Sequence, residues 1–440
     1  MIKQYKTFRG GLHPPDCKAG SAHKAIEDCP LPEELSIHLS QHIGVPAEVC
    51  VAVGERVLKG QAIGRARGMV SVPVHASTSG EVVAVEPRPH PSGKTLEAVV
   101  IRPDGIDERH GALSGADYRS LSPEQLRERI RGAGIVGLGG ATFPTHVKLS
   151  PPPEKSIDTL IINGAECEPY LTGDHRLMVE AAAGIVLGIN IFRRALGARR
   201  VCVGIENNKP DAVLAMRQAC RETGIEVVAL ATKYPQGAEK QLIYAMTGRE
   251  VPSGGLPMDV GALVQNVGTA EAAAAALSSG RPLIERVLTV TGPGVAEAKN
   301  LRVRIGTPLS HLIACCGGLK GVPAKIIVGG PMMGTAQLGL DVPAVCGTSG
   351  VLVLREEDLA VRPEGPCIRC GRCLQVCPAR LAPTTIAAYA RLDRMSEARA
   401  FNAMDCIECG SCAYICPSAI PLVQSIRHAK ASISAKRKKH

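Results

Sequence analysis

The chain has no tryptophan, and aromatic residues make up only 2% of its 440 residues. Its cores must therefore be aliphatic, built from Val, Ile, Leu and Ala, and recognition of nucleic acid by base stacking is disfavoured. No apolar run approaches the roughly 20 residues a membrane helix needs. The longest, residues 181–192, is short and interrupted by Gly184, Gly188 and Asn190. Any membrane contact is therefore expected to be peripheral or through partners. No secretion signal is recognisable, so the 17 cysteines do not read as the disulfide framework of a small secreted scaffold. Acids are missing from Arg427 onward, where six Lys or Arg residues supply much of the net charge of +10. That end fits an anionic lipid surface or an acidic partner. It fits a solvated, frayed terminus equally well.

What is present begins with eight of those cysteines. Cys367, Cys370, Cys373 and Cys377 are followed by Pro378, and Cys406, Cys409, Cys412 and Cys416 by Pro417, the second set offset from the first by 39 residues. Each set reads C-x2-C-x2-C-x3-C-P, the bacterial-ferredoxin signature for a cubane iron–sulfur cluster. Three closely spaced thiolates can cap three irons of one cube, and the fourth starts a segment that leads away. In two-cluster ferredoxins that fourth Cys serves the other cluster. The expected sets are Cys367, Cys370, Cys373 and Cys416 for one cluster, and Cys406, Cys409, Cys412 and Cys377 for the second. Zinc is the weaker reading, because structural zinc takes two cysteine pairs per ion rather than four evenly spaced thiols. The other nine cysteines (Cys17, Cys29, Cys50, Cys167, Cys202, Cys220, Cys315, Cys316, Cys346) read as reduced, mostly buried thiols.

Length predicts three or four domains, and the pattern suggests how they are arranged. Residues 1–33 read as an extended arm broken by Pro14, Pro15, Pro30 and Pro32. Residues 34–110 have an all-β texture of short apolar runs and turns. The phrases around Gly54, Gly60 and Gly80 resemble the half-barrel repeats of biotinyl and lipoyl carrier domains, but the expected tip, Arg67-Gly68-Met69, has no acceptor lysine. An unmodified barrel-sandwich hybrid with a scaffolding role is implied. Residues 120–285 alternate strands with helices, which predicts a parallel sheet covered on its faces. In this region Ser122 and Gln125 spell a helix start, and Asp174-His175-Arg176 opens a long helix. Residues 286–356 are β-rich and look like a β-grasp of the soluble-ligand-binding type, with Gly329-Gly330 a structural turn. Residues 357–424 hold the ferredoxin-type domain, with an Ala-rich helical stretch at 383–401, and residues 425–440 form the basic tail. The fold class is thus multidomain α/β plus β.

One segment carries phosphate-binding chemistry. Gly137, Gly139 and Gly140 permit close backbone approach to a phosphate, and Lys148 adds charge. The run is not G-x-G-x-x-G and does not directly follow a strand, so a structural turn is the competing reading.

Taken together, four segments are more specific. Gly137-x-Gly139-Gly140-Ala-x-Phe143-Pro144-Thr-x-x-Lys148 resembles the flavin-binding loop of the NADH-oxidising subunit of respiratory complex I. Asn163-x-x-Glu166-x-Glu168-Pro169, Tyr234-Pro-Gln-Gly237-Ala-Glu239 and Gln265-Asn266-Val-x-Thr269 resemble its later flavin and nucleotide segments. The leading barrel and the two-cluster end resemble the RnfC family, a component of the Rnf and Rsx ion-translocating electron transport complexes. This resemblance implies FMN, NAD(H) and two [4Fe–4S] clusters as cofactors. It implies other subunits of a membrane complex and a ferredoxin or ferredoxin-like protein as partners, no nucleic acid, and a peripheral place on the cytoplasmic face of the inner membrane. By position, Gly137, Gly139, Gly140 and Lys148 would hold the FMN phosphate, and Asn163, Glu166 and Asn266 would contact the flavin. Phe143 would stack on the nicotinamide or adenine, and Glu168, Tyr234, Gly237 and Glu239 would serve NADH. Ala238 departs from the pattern, which has an acid there. A soluble cobalamin-reductase-like flavoprotein and an iron–sulfur relay without flavin are the alternatives.

Overall fold

A computed structural model of the chain describes residues 5–111, 114–359 and 362–437. The N-terminal arm ends in a strand, β1 (Ile26–Asp28). The barrel module follows, with β2 (Leu35–His38), β3 (Glu48–Val49), β4 (Arg56–Val57), β5 (Ala62–Arg65), β6 (Val74–His75), β7 (Gly80–Pro89) and β8 (Thr95–Pro103). Two antiparallel sheets, β2-β8-β7-β4 and β3-β5-β6, face each other over an aliphatic core. Its tip carries exposed Met69, and the carbonyls of Gly68 and Met69 meet Arg131 and His146 of the next domain. The tip is used for docking, as an unmodified scaffold would be.

The α/β domain opens with α1 (Pro123–Gly132), capped reciprocally by Ser122 and Gln125, and α2 (Thr145–Lys148). Next come β9 (Thr159–Gly164), α3 (Gly173–Glu180), α4 (Ala182–Leu196), β10 (Arg200–Glu206), α5 (Pro210–Ala219), β11 (Glu226–Leu230), α6 (Glu239–Thr247), β12 (Ala262–Asn266) and α7 (Val267–Ser279). The strands pair in parallel in the order β11-β10-β9-β12. The chain moves outward from β9 to β11 and then returns to the other side of β9. Such a reversal opens a crevice at the carboxyl ends of β9 and β12, where open α/β sheets bind ligands.

The long helix expected from Asp174 is two helices, bent by 94° at Ala181. They bury against different partners. The first packs on α5 and the β-grasp strands, while the second lies along α7. One straight helix could not cover both surfaces. Among the described residues no single helix is long and apolar enough to cross a membrane.

The β-grasp comprises β13 (Glu285–Thr291), β14 (Lys299–Arg304), α8 (Leu309–Cys315), β15 (Lys325–Val328), β16 (Thr335–Gln337) and β17 (Gly350–Leu354). Its six-stranded sheet runs β1-β14-β13-β17-β15-β16, so the arm supplies an edge strand. The ferredoxin-type domain has α9 (Arg372–Val376), α10 (Pro383–Arg391), α11 (Met395–Ala400), α12 (Ser411–Tyr414) and α13 (Leu422–Arg437). The Ala-rich stretch is thus split in two at Asp393, which has positive φ. The basic end is not a separate tail as far as Arg437. Ile426, Ala429 and Ile433 form a buried stripe beneath its lysines and arginines, and they dock α13 against α10.

Helices α4 and α7 meet at Gly188, where an added Cβ would lie 1.8 Å from Ala270 O. Gly188→Ala is therefore expected to destabilise the α/β domain by about 1–3 kcal/mol through overpacking, read as a lower thermal unfolding midpoint. An unchanged midpoint would contradict this packing.

Candidate functional site

All four of the singled-out segments meet at the β9/β12 crevice. The glycine loop is a tight excursion between Val136 and Pro144, which pair as a bridge. Gly137 N–H donates to Phe143 O at 3.0 Å, and Gly140 has φ +124° with nothing above its Cα. Gly139 rests on Asn266, whose Cβ lies 3.2 Å from where a Gly139 Cβ would stand. Leu138 N–H donates to Thr269 Oγ1 at 2.9 Å, which ties the loop to the start of α7. Asn266 caps α7 by accepting from Gly268 and Thr269 N–H, and its Nδ2 donates to Asp174 Oδ2 at 2.6 Å. Asn163 Nδ2 donates to Gly237 O at 2.8 Å. Lys148 Nζ reaches Glu239 and Val264 O, each at 2.6 Å. Phe143 is half-buried beside the loop.

Two predicted contact residues have other tasks. Glu166 spends both carboxylate oxygens on the N–H groups of Asp174 and His175, which caps α3. It therefore fixes the loop after β9 to the start of α3. Glu168 accepts from Met332 and Met333 N–H, at 3.1 and 2.9 Å, in the β-grasp loop after Gly330. A Cβ on Gly330 would lie 2.3 Å from Glu168 Oε2, so Gly329-Gly330 is a structural turn that admits this carboxylate.

Sequence reasoning missed the charges that hold these loops. Lys18, from the arm, is buried and donates to the carbonyls of Glu166 (2.8 Å), Glu168 (3.0 Å) and Leu171. Burial, and then the nearby Lys209 ammonium, push Lys18 down. Lys209 donates to Ala165 O at 2.7 Å and pairs with buried Glu206. Arg286 lies beneath the glycine loop and donates to Cys346 O and Leu138 O. Burial pushes it down. Burial, and then the Glu166 charge, raise Asp174 to about 7. A lone lysine in a Pro-broken arm carries no sequence signal for any of this.

Four of the thiols converge. Cys377, Cys406, Cys409 and Cys412 line one cavity, closed by Leu381, Val423 and Ile426. Burial, first among causes, raises Cys406 to about 11 and Cys412 to about 12, and Cys377 and Cys409 add to the shift of each. The fourth cysteine of the first motif therefore sits among the first three of the second. Cys416 packs against a group containing both Cys373 and Cys412, while Cys367 and Cys370 are exposed. The two motifs also repeat their backbone. Arg369 and Glu408, then Gly371 and Gly410, all have positive φ at matching positions. Four convergent thiols with these loops fit a cubane. Gln236 Nε2 and Gln265 Nε2, in two of the converging segments, are buried donors with no protein partner, and Gly139 and Gly140 are exposed, a combination that fits a bound polar cofactor.

The inner thiol set abuts the crevice. Tyr234, buried, donates its hydroxyl to Cys409 O at 2.8 Å and lies 3.4 Å from Glu168 Oε1. Gly11 N–H donates to Val376 O, and Gln241 Nε2 to Pro378 O. Tyr234 was expected to serve the nucleotide; its observed contact joins the two sites.

Comparison with known proteins finds four families in series. The RnfC Barrel sandwich hybrid domain matches residues 6–106, the Nuo51 FMN-binding domain 130–275, the SLBB domain 287–336 and the 4Fe-4S dicluster domain 360–417. The C component of the proton-translocating ferredoxin:NAD(+) oxidoreductase complex of Clostridium ljungdahlii is 51% identical over 97% of this chain and 94% of that protein. The Na(+)-translocating counterpart of Acetobacterium woodii is 47% identical over 100% of both. The C component of the ion-translocating oxidoreductase complex of Rhodobacter capsulatus is 45% identical over 99% of this chain and 85% of its own length. An NAD+-reducing [NiFe]-hydrogenase in the H2-reduced state shares the fold, with TM-score 0.50 and 20% identity over 73% of this chain and 66% of that one.

Burial raises Glu168 from 4.5 to about 7, opposed by the Met332 and Met333 N–H groups. A raised carboxyl contributes stability that is full below the unfolded value and lost as pH rises through the folded one. The wild-type melting temperature should therefore fall more than that of Glu168→Gln between about pH 5 and pH 8. Asp174 titrates in both proteins and cancels. Parallel melting curves across that window would refute the assignment.

Proposed function

The chain belongs to the RnfC family, the C components of the ion-translocating ferredoxin:NAD(+) oxidoreductase complexes, and from that premise we propose how it works. It is an oxidoreductase subunit that exchanges electrons between NAD(H), FMN and two [4Fe–4S] clusters within a membrane electron transport complex. Its partners are the other subunits of that complex, with ferredoxin and NADH as redox partners. The carrying observation is that four separated segments meet at the β9/β12 crevice, and that Tyr234 links this crevice to the inner thiol set.

FMN, when bound, supplies the exchange between two-electron hydride chemistry and one-electron carriers. The protein binds and orients. Gly137, Gly139 and Gly140 present backbone at the phosphate, and Lys148 adds a cation after yielding its contact with Glu239. Asn163 and Asn266 frame the flavin from the ends of adjacent strands, and Glu166 positions its loop by capping α3. Phe143 offers a ring face to the nicotinamide or adenine. Tyr234, Gly237 and Glu239 form the nucleotide-side loop, with Glu168 as the brace between that loop and the β-grasp. The convergence of these segments favours this reading over an iron–sulfur relay without flavin, and the leading barrel favours it over a soluble cobalamin-reductase-like protein.

We assign Cys377, Cys406, Cys409 and Cys412 to the cluster nearer the flavin, and Cys367, Cys370, Cys373 and Cys416 to the outer one. The inner set is walled by α13 and the flavin domain. The outer set has two exposed thiols and faces the partner. We place the protein peripherally on the cytoplasmic face of the inner membrane, docked through other subunits.

Anaerobic reconstitution with iron, sulfide and FMN, followed by NADH, should bleach first the flavin and then the cluster absorbance. Absence of flavin binding, or of any bleaching, would overturn the proposal. For the ligand sets, Cys377→Ala should abolish the spectroscopic signal of the inner cluster. Loss of the outer signal alone would contradict crossed ligation.

A further inference from the structure

Three soft donors outside both sites converge where the arm meets the β-grasp. Cys29 follows directly on β1, and its N–H donates to Arg302 O at 2.9 Å, continuing the pairing with β14. His311 and Cys315 are four residues apart on α8, which puts them on one face a turn apart. The Sγ atoms of Cys29 and Cys315 lie 3.6 Å apart, and the sulfurs and a ring nitrogen of His311 all lie within 4.8 Å of one another. All three residues are half-buried.

The spacing fits a metal site. Tetrahedral zinc with Zn–S of about 2.3 Å sets two sulfurs about 3.8 Å apart, close to the observed 3.6 Å. A disulfide would need about 2.05 Å. His311 Nε2 lies 2.9 Å from Pro30 O. The tautomer that donates there keeps a lone pair on the other ring nitrogen, the orientation device common to metal-bound histidines. Adjacent Cys316 is buried in the β-grasp core and is not part of the group.

We propose that Cys29, His311 and Cys315 hold a thiophilic divalent cation, zinc by ligand preference, which staples the N-terminal arm to the β-grasp. Two thiolates and one imidazole suit zinc better than magnesium or calcium. The fourth position is left to water. The stapled arm is the one that carries Lys18 to the crevice and Gly10 and Gly11 to the inner thiol set. The site is independent of the flavin assignment.

The test is elemental analysis of the anaerobically purified full-length holoprotein after equilibration with Zn2+ and gel filtration. About one zinc per chain is expected, with X-ray absorption showing two sulfurs near ~2.3 Å and one nitrogen near ~2.0 Å. Cys29→Ser and Cys315→Ser should each lower zinc about tenfold while the iron content stays at the wild-type value. Cys316→Ser should keep the zinc. If a serine variant loses iron as well, and so has misfolded, the wild-type absorption spectrum and Cys316→Ser decide the matter. No retained zinc in the wild type, equal zinc in a Cys29→Ser protein with full iron, or a Cys29–Cys315 disulfide in the anaerobic protein would each overturn the proposal.

Discussion

The structure depends on one buried ammonium. Lys18 reaches from the arm into the loop after β9 and gathers three backbone carbonyls, those of Glu166, Glu168 and Leu171. A buried ammonium is costly unless its hydrogen bonds are all met. That cost is offset only when residues 166–171 curl around it. The curl turns Glu166 toward the start of α3, Glu168 toward the β-grasp loop, and leaves Asn163 to hold Gly237. Flavin loop, helix terminus and neighbouring domain are thus set by a single point charge from a segment with little regular structure of its own.

The inner thiol set is placed by similar means. The Tyr234 hydroxyl donates across a domain boundary to Cys409 O at 2.8 Å, with Glu168 Oε1 3.4 Å away on its own side. A buried phenol needs such partners, so the ferredoxin-type domain cannot slide against the crevice without orphaning it. Lys430 and Arg427 on α13 close the other side by pairing with Glu408 in the second cysteine loop. Polar contacts with defined geometry fix the spacing between the two redox sites, and the aliphatic cores behind them supply most of the stability.

Legibility in the sequence followed distance along the chain. The cysteine motifs, the glycine loop and the capping box at Ser122 are local patterns, each complete within a dozen residues, and the capping box forms as its residues specify. Pairings over hundreds of residues left no local trace. Lys18 with Glu166, Tyr234 with Cys409 and Arg286 with Leu138 are ordinary residues until the fold brings them together. Asp174 reads as a helix opener, which it is, but the turn at Ala181 follows from competition between the β-grasp and α7 for apolar faces. The basic end misled for the same reason. Its charges are conspicuous, while the i, i+3, i+7 stripe of Ile426, Ala429 and Ile433 gains meaning only when α10 is there to receive it.

The edge strand β1 has a consequence for biosynthesis. Ile26 pairs with Asn300, so a strand made before the barrel and the α/β domain waits for a partner made after both. Closing so long a loop before its contacts reward it is slow. Until β14 emerges, the β1 edge is unpaired, although Leu12 and Lys18 of the same arm already have partners in the α/β domain. Domains otherwise fold in order of synthesis, but here a strand made before two domains pairs only after both.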